Sequence, residues 1–181
     1  MITPSCPADA KGLLKAAIRD EDPVVFLESE KMYGDKGEVP EGEFIIPIGV
    51  ADVKRKGTDV TIVSFGKIMK VAFEAADILA KENISAEIID LRTLNPLDIN
   101  IIKTSIEKTG KALIVYEDNL TNGPGAEISA IIGEKCFEYL DGPIKRIASK
   151  DSPVPFNWFL ENKVLPQTED IALGIKELLE Y

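Results

Sequence analysis

The chain has 181 residues, 45% of them hydrophobic, with 21 basic and 31 acidic side chains, no histidine and a net charge of −10. Such acidity argues against a nucleic-acid binder, which needs a basic face to displace counterions from phosphates. Without histidine the chain lacks the commonest general base, the serine-hydrolase triad and most zinc sites.

Pro7 opens a first predicted helix, with Ser5 or Cys6 near its cap and Leu13, Leu14, Ala17 and Ile18 as its apolar stripe. Pro23 cannot continue that helix, and Val24-Val25-Phe26-Leu27 reads as a short buried strand. From Asp20 to Glu43 nine acids face two lysines, the composition of a solvated connector. Phe44 to Ala51 is apolar but interrupted by Pro47, far short of the ~20 residues of a membrane helix. Ile48 to Asp59, with its Lys54-Arg55-Lys56-Gly57 turn, is expected to add one antiparallel edge.

A regular alternation follows. Val60 to Val63 reads as a strand, Lys67 to Glu82 as an amphipathic helix, and Ala86 to Leu91 as a second strand. Asp98 caps a helix carrying Ile99, Ile102 and Ile106, and Ala112 to Val115 is a further strand. Pro124 or Gly125 opens a helix with Ile128, Ile131, Ile132 and Phe137, and Ile144 to Ile147 is the last strand. Glu169 to Tyr181 closes the chain as a helix that turns Ile171, Ile175, Leu178 and Leu179 inward. Strands alternating with helices predict an α/β fold: three layers, a mostly parallel sheet with helices on both faces. The main domain is expected over residues 44–181.

Motifs with chemistry are few. Asn122-Gly123-Pro124-Gly125 follows a strand and opens a helix; its free amides suit an anion, but Pro124 removes one donor and a tight packing turn explains it better. Glu117 and Asp118 stand at the carboxyl end of a strand, where α/β sites gather. Asp20-Glu21-Asp22 brings carboxylates to the negative end of the first helix, which is either an empty acidic turn or a hard-cation site. Cys6 and Cys136 have no C-x-x-C spacing, which points to a reducing compartment. The first residues lack a signal peptide's basic and apolar regions, and a cytoplasmic location follows as an expectation; a mitochondrial or plastid one stays open.

Leu13–Gly34 (LLKAAIRDEDPVVFLESEKMYG), Gly57–Gly66 (GTDVTIVSFG) and Ile88–Asp98 (IIDLRTLNPLD) resemble the beta subunit of thiamine-diphosphate-dependent 2-oxo-acid dehydrogenases, most closely the pyruvate dehydrogenase branch. Asn122–Ile128 (NGPGAEI), Tyr139–Ile147 (YLDGPIKRI) and Lys150–Glu161 (KDSPVPFNWFLE) extend the resemblance over almost the whole chain. It implies a subunit about twice this long, with residues 1–43 as the tail of a pyrimidine-binding domain plus connector and 44–181 as a transketolase-type C-terminal domain. The family reaction is oxidative decarboxylation of pyruvate, with acyl transfer to a lipoyl arm. The resemblance places the activating glutamate and the acyl-transfer histidine in the other half, and the magnesium and diphosphate motif on the alpha subunit. It therefore implies no catalytic or cofactor-binding residue here: thiamine diphosphate and magnesium belong to the complete enzyme, and the chain alone is inactive.

The resemblance also implies a potassium site at the carbonyls of Ala17 and Ile18 with oxygens of Asp20 and Asp22. Position 22 is often asparagine in relatives. The implied partners are an alpha subunit and a second beta subunit in a heterotetramer, and the subunit-binding domain of a dihydrolipoamide acyltransferase, which docks on Asp141 and on Tyr181 with its terminal carboxylate. Glu177 and Glu180 would add negative charge there. No nucleic acid and no membrane is expected as a partner. Two alternatives remain: a free-standing, non-catalytic assembly module, or the equivalent part of a branched-chain 2-oxo-acid or acetoin dehydrogenase.

Overall fold

β-Branched and aliphatic runs bounded by turn residues supply the strands of a five-stranded sheet. The computed structural model describes residues 1–181. After helix α1 (Pro7–Arg19) and the acidic connector come β1 (Asp52–Arg55), β2 (Val60–Ser64), α2 (Met69–Ala80), β3 (Ala86–Asp90), α3 (Ile99–Thr109) and β4 (Ala112–Asn119). The chain continues through α4 (Pro124–Cys136), β5 (Lys145–Ser149), α5 (Trp158–Val164) and α6 (Thr168–Leu179). Strand order is β1-β3-β2-β4-β5; only β1 runs antiparallel, with a bulge between Val53 and Arg55. The expected antiparallel edge is therefore present.

Strand side chains alternate between two cores, as a period of two requires. Ile62, Ile88, Leu113 and Val115 meet α2 and α6, while Val63, Ile89, Ile114 and Tyr116 meet α3 and α4. Full burial of each aliphatic side chain contributes roughly 1.5–3 kcal/mol relative to leaving it exposed. Helix ends follow local chemistry. Asp98 accepts the Ile101 amide at 3.4 Å to start α3, Gly110 stops it at a φ of 68°, and Gln167 and Asp170 form a reciprocal capping box on α6.

A third, small cluster of Ile2, Leu13 and Ile46 lies under the N-terminal segment. Met1 to Thr3 forms an arm: the Ile2 amide donates to Val25 O and the Leu27 amide to Ile2 O, both at 2.8 Å, and the Thr3 amide donates to Arg92 O at 2.8 Å. Val24 to Leu27 is thus not the expected buried strand. It makes an isolated bridge through Phe26 to Ile2 and leaves Val25 and Leu27 exposed, because one short arm covers only one side of it. The α1 stripe is also narrower than expected: Leu13 is buried, whereas Leu14 and Ile18 face outward. Phe137 is exposed, since α4 ends at Cys136 and a 3-10 turn swings the ring away. The helix expected from Lys67 begins as a 3-10 turn at Gly66–Ile68.

Candidate functional site

Parallel α/β sheets gather ligands at the carboxyl ends of the two strands between which the winding order reverses. Here those strands are β2 and β4, and their ends carry Phe65-Gly66-Lys67 and Glu117-Asp118. The crevice is largely filled by the chain itself. Thr3 and Pro4 of the arm and Leu27 to Ser29 of the connector close over it, leaving about 170 Å³. Gly66, at a φ of 66°, lets Thr3 approach; a Cβ there would stand 2.8 Å from the threonine hydroxyl. Lys67 Nζ spans the two strand ends to Glu117 at 2.6 Å, and Asp118 accepts the Asn119 amide. Glu117 is therefore ion-paired across the strand ends, and Asp118 is turned to the backbone.

The Asn122–Gly125 loop is a packing device, as the sequence favoured. A Cβ on Gly125 would lie 2.0 Å from the Tyr116 ring, and one on Gly123 would lie 2.7 Å from it and 2.1 Å from Asn119 O. Both positions need glycine because the ring is clasped between them.

Ala17 and Ile18 lie in the last turn of α1, and Asp20 and Asp22 follow on the exposed turn after it. The last helical carbonyls have no intrahelical partner, and no other amide of the chain reaches Ala17 O or Ile18 O. One Asp20 oxygen is occupied by the Asp22 amide at 3.0 Å. Two carbonyls and two exposed carboxylates suit a weakly held hard cation. No set of three or more Cys, Asp or Glu side chains gathers as a metal centre.

The end of the chain meets the 141–142 turn, where the Asp141 carboxylate lies against Gly110 and Gly142 lies against Tyr181. The Asp141 amide donates to Gly110 O at 2.7 Å, and Gly142 lies so close to Tyr181 that a Cβ on it would sit 3.2 Å from the tyrosine Cβ. Tyr181 is 75% exposed and borders an open groove of about 540 Å³ with Pro143, Ile144 and Glu180. Glu177 does not add free negative charge here, because Lys145 pairs with it.

Sequence reasoning missed the densest charge cluster. Asp9, from α1, receives Lys54 Nζ at 2.8 Å and Arg92 Nη2 at 2.7 Å; the same two cations reach Asp52 at 3.0 and 2.9 Å. Burial works to raise the Asp9 carboxyl, but hydrogen bonds from Lys54 and Arg92 outweigh it and hold it below the usual carboxylate range. The one signal in the sequence was an acid on the inward side of α1. Its partners are far away in the chain. A second missed feature is the α5 surface, where Phe156, Trp158, Phe159 and Leu160 are all more than half exposed.

The transketolase C-terminal domain model matches residues 49–171. This chain belongs to that family. Its fold is that of a chain from a split-gene transketolase forming an inactive beta4 tetramer, at a TM-score of 0.79 and 24% identity over 99% of this chain and 56% of that one. Among curated relatives, the mitochondrial pyruvate dehydrogenase beta subunit of Dictyostelium discoideum is 47% identical over 99% of this chain and 52% of its own length. The 2-oxoisovalerate dehydrogenase beta subunit of Bacillus subtilis is 45% identical over 100% of the chain and 56% of its own. The acetoin:2,6-dichlorophenolindophenol oxidoreductase beta subunit of Bacillus subtilis is 47% identical over 98% and 52%. The chain thus spans about half the length of the curated relatives it matches. Within this family, the match confirms the resemblance to 2-oxo-acid dehydrogenase beta subunits.

Proposed function

We propose that this chain works as the C-terminal part of the beta subunit of a pyruvate dehydrogenase, serving assembly and docking rather than bond making. The observation that carries the reading is near-half identity, end to end, with beta subunits about twice as long. On this reading residues 1–43 are the tail of the pyrimidine-binding domain plus connector, residues 44–181 are the transketolase-type domain, and the small cluster around Ile2, Leu13 and Ile46 sits at their seam. Two exposed apolar surfaces, Leu14, Ile18 and Val25 on one side and the α5 aromatics on the other, support contact with an alpha subunit and a second beta subunit. Free Cys6 and Cys136 fit a reducing compartment such as the cytoplasm.

The crevice at the strand ends offers about 170 Å³, less than the ~300–1,000 Å³ of ordinary ligand pockets, which supports leaving thiamine diphosphate to the complete enzyme. No catalytic step is therefore assigned to these residues. The test is complementation. The chain alone, given 2-oxo acid, thiamine diphosphate and magnesium, should show no turnover, and adding the missing half with an alpha subunit should restore it. Pyruvate should be the preferred substrate; preference for acetoin, whose enzyme's beta subunit is equally similar, would move the reading to that branch. Turnover by the chain alone would overturn it.

Docking of a basic subunit-binding domain is assigned to Asp141, Tyr181 and the terminal carboxylate, with Glu180 on the rim. Asp141→Ala and deletion of Tyr181 should each weaken that binding by more than ~1 kcal/mol, with marked salt dependence. Unchanged affinity in both variants, by calorimetry, would place the docking surface elsewhere.

Potassium is assigned to Ala17 O, Ile18 O, Asp20 and Asp22. The chain should melt about 2 °C higher in potassium chloride than in a bulky organic cation at equal ionic strength. Equal melting temperatures would remove the site.

A further inference from the structure

The arm crosses the carboxyl end of β3 at Ser5, and there it meets a carboxylate. Ser5 Oγ donates to Asp90 Oδ2, and the Arg92 amide donates to Asp90 Oδ1 at 3.1 Å. Asp90 is completely buried. Around it stand Asp9 from α1, Lys54 and Asp52 from β1, Arg92 from the loop after β3, and Ser64 from β2, with the Cys6 thiol beyond Asp9 and Lys54. Ser64 is engaged elsewhere, donating to Val115 O at 2.9 Å.

Lys54 and Arg92 are both committed to Asp9 and Asp52. An ionised Asp90 is thus a third acid beside two cations that already have partners, and no ammonium or guanidinium is paired with it. A buried unpaired charge is costly and is relieved by a proton or by access to water. Opening the arm provides the water. We propose that Asp90, buried beneath the N-terminal arm without a paired cation, is a pH-sensitive latch: the arm stays on the sheet when Asp90 carries a proton and loosens when it does not, the Ser5 hydroxyl tempering the response by favouring the ionised form.

Burial pushes the Asp90 carboxyl up to about 6; the Ser5 hydroxyl opposes the rise and the nearby Asp9 charge adds to it. Because this lies above its ordinary 3.8, the closed arm binds the proton more tightly than the open arm. The latch's contribution is complete below the ordinary value and is lost as pH rises through about 6. Asp9 acts in the opposite sense: its carboxyl is held low, so its ion pairs persist until pH falls through that depressed value. The arm is therefore held most firmly between those two titrations.

Amide exchange reads the latch directly. The Ile2, Thr3 and Leu27 amides should lose about tenfold in protection between pH 5 and pH 7.5, while Ile62 and Ile89 in the sheet centre stay protected. Asp90→Asn should abolish the pH dependence of the arm amides. Ser5→Ala removes a donor that favours the ionised form, so its half-point should move to higher pH. Should the asparagine variant not fold, carbonyl-carbon NMR of Asp90 in the native chain supplies the readout, with an expected midpoint near pH 6. Arm protection constant within twofold across this range, a midpoint at or below 4, or a tenfold loss persisting in Asp90→Asn would overturn the proposal.

Discussion

Tyr116→Ala should lower the stability of the chain by about 4 kcal/mol, the cost of emptying a large buried aromatic site that its surroundings cannot refill. Tyr116 is fully buried in the core beneath α3 and α4, and its ring fills the space between Gly123 and Gly125. The hydroxyl contributes little, because its contacts with Leu120 O and Arg146 are both 3.4 Å. Tyr116→Phe should therefore cost less than ~1 kcal/mol. The clasp can also be attacked from its other side. Gly125→Ala forces a methyl group against the ring and should cost about 3 kcal/mol by overpacking. Urea unfolding at neutral pH measures all three. An alanine at 116 that stays within ~1 kcal/mol of the native chain would show that this core collapses freely.

Asp9→Ala should cost about 3 kcal/mol at pH 7, because it leaves two largely buried cations short of a partner. The side chains of Lys54 and Arg92 are only 18% and 13% exposed, and Asp52, itself 40% exposed, is the one acid left to serve both. The effect has a defined pH course. The Asp9 carboxyl is held below its ordinary value, so its contribution is full above that value and is lost as pH falls through the depressed one. The gap between native and variant chains should thus close in strong acid. A gap unchanged by acid would mean that Asp9 acts through packing rather than charge.

The regular part of the fold was legible because each buried strand is a short aliphatic run bounded by turn residues. Val60 to Ser64 and Ala86 to Asp90 are buried at every position, which only a sheet covered on both faces produces. Where pairing depends on a distant partner, the pattern misleads. Val24 to Leu27 looks like those strands but finds only Ile2 beside it. Glu117 to Asn119 looks like a loop, yet β4 continues through it because Asn119 pairs with Ser149. Helix α5 was hidden by Pro153 and Pro155 just before it and by apolar residues that bury nothing.

The candidate sites divide in the same way. Ala17, Ile18, Asp20 and Asp22 are close in sequence, so one helix end and the turn after it carry all four. The cluster of Asp9, Asp52, Lys54, Asp90 and Arg92 is assembled from three separate segments, and its acids and bases look like ordinary surface charges until the fold closes. The pairing of Glu177 with Lys145 was invisible for the same reason, and it removes one of the charges expected at the docking surface.

The bulge in β1 bears on how the chain avoids sticking to itself. An outermost strand offers unpaired backbone groups to any other extended segment, the first step toward fibrillar growth. β1 is only four residues long, is broken by the bulge between Val53 and Arg55, and carries Asp52, Lys54 and Arg55. At the opposite border β5 displays Lys145 and Arg146. A strand added at either border would meet fixed charge, and at β1 it would also lose register within a few residues. Any self-association must therefore proceed through side-chain surfaces, where shape and charge select the partner, and not through backbone hydrogen bonding, which would accept almost any sequence.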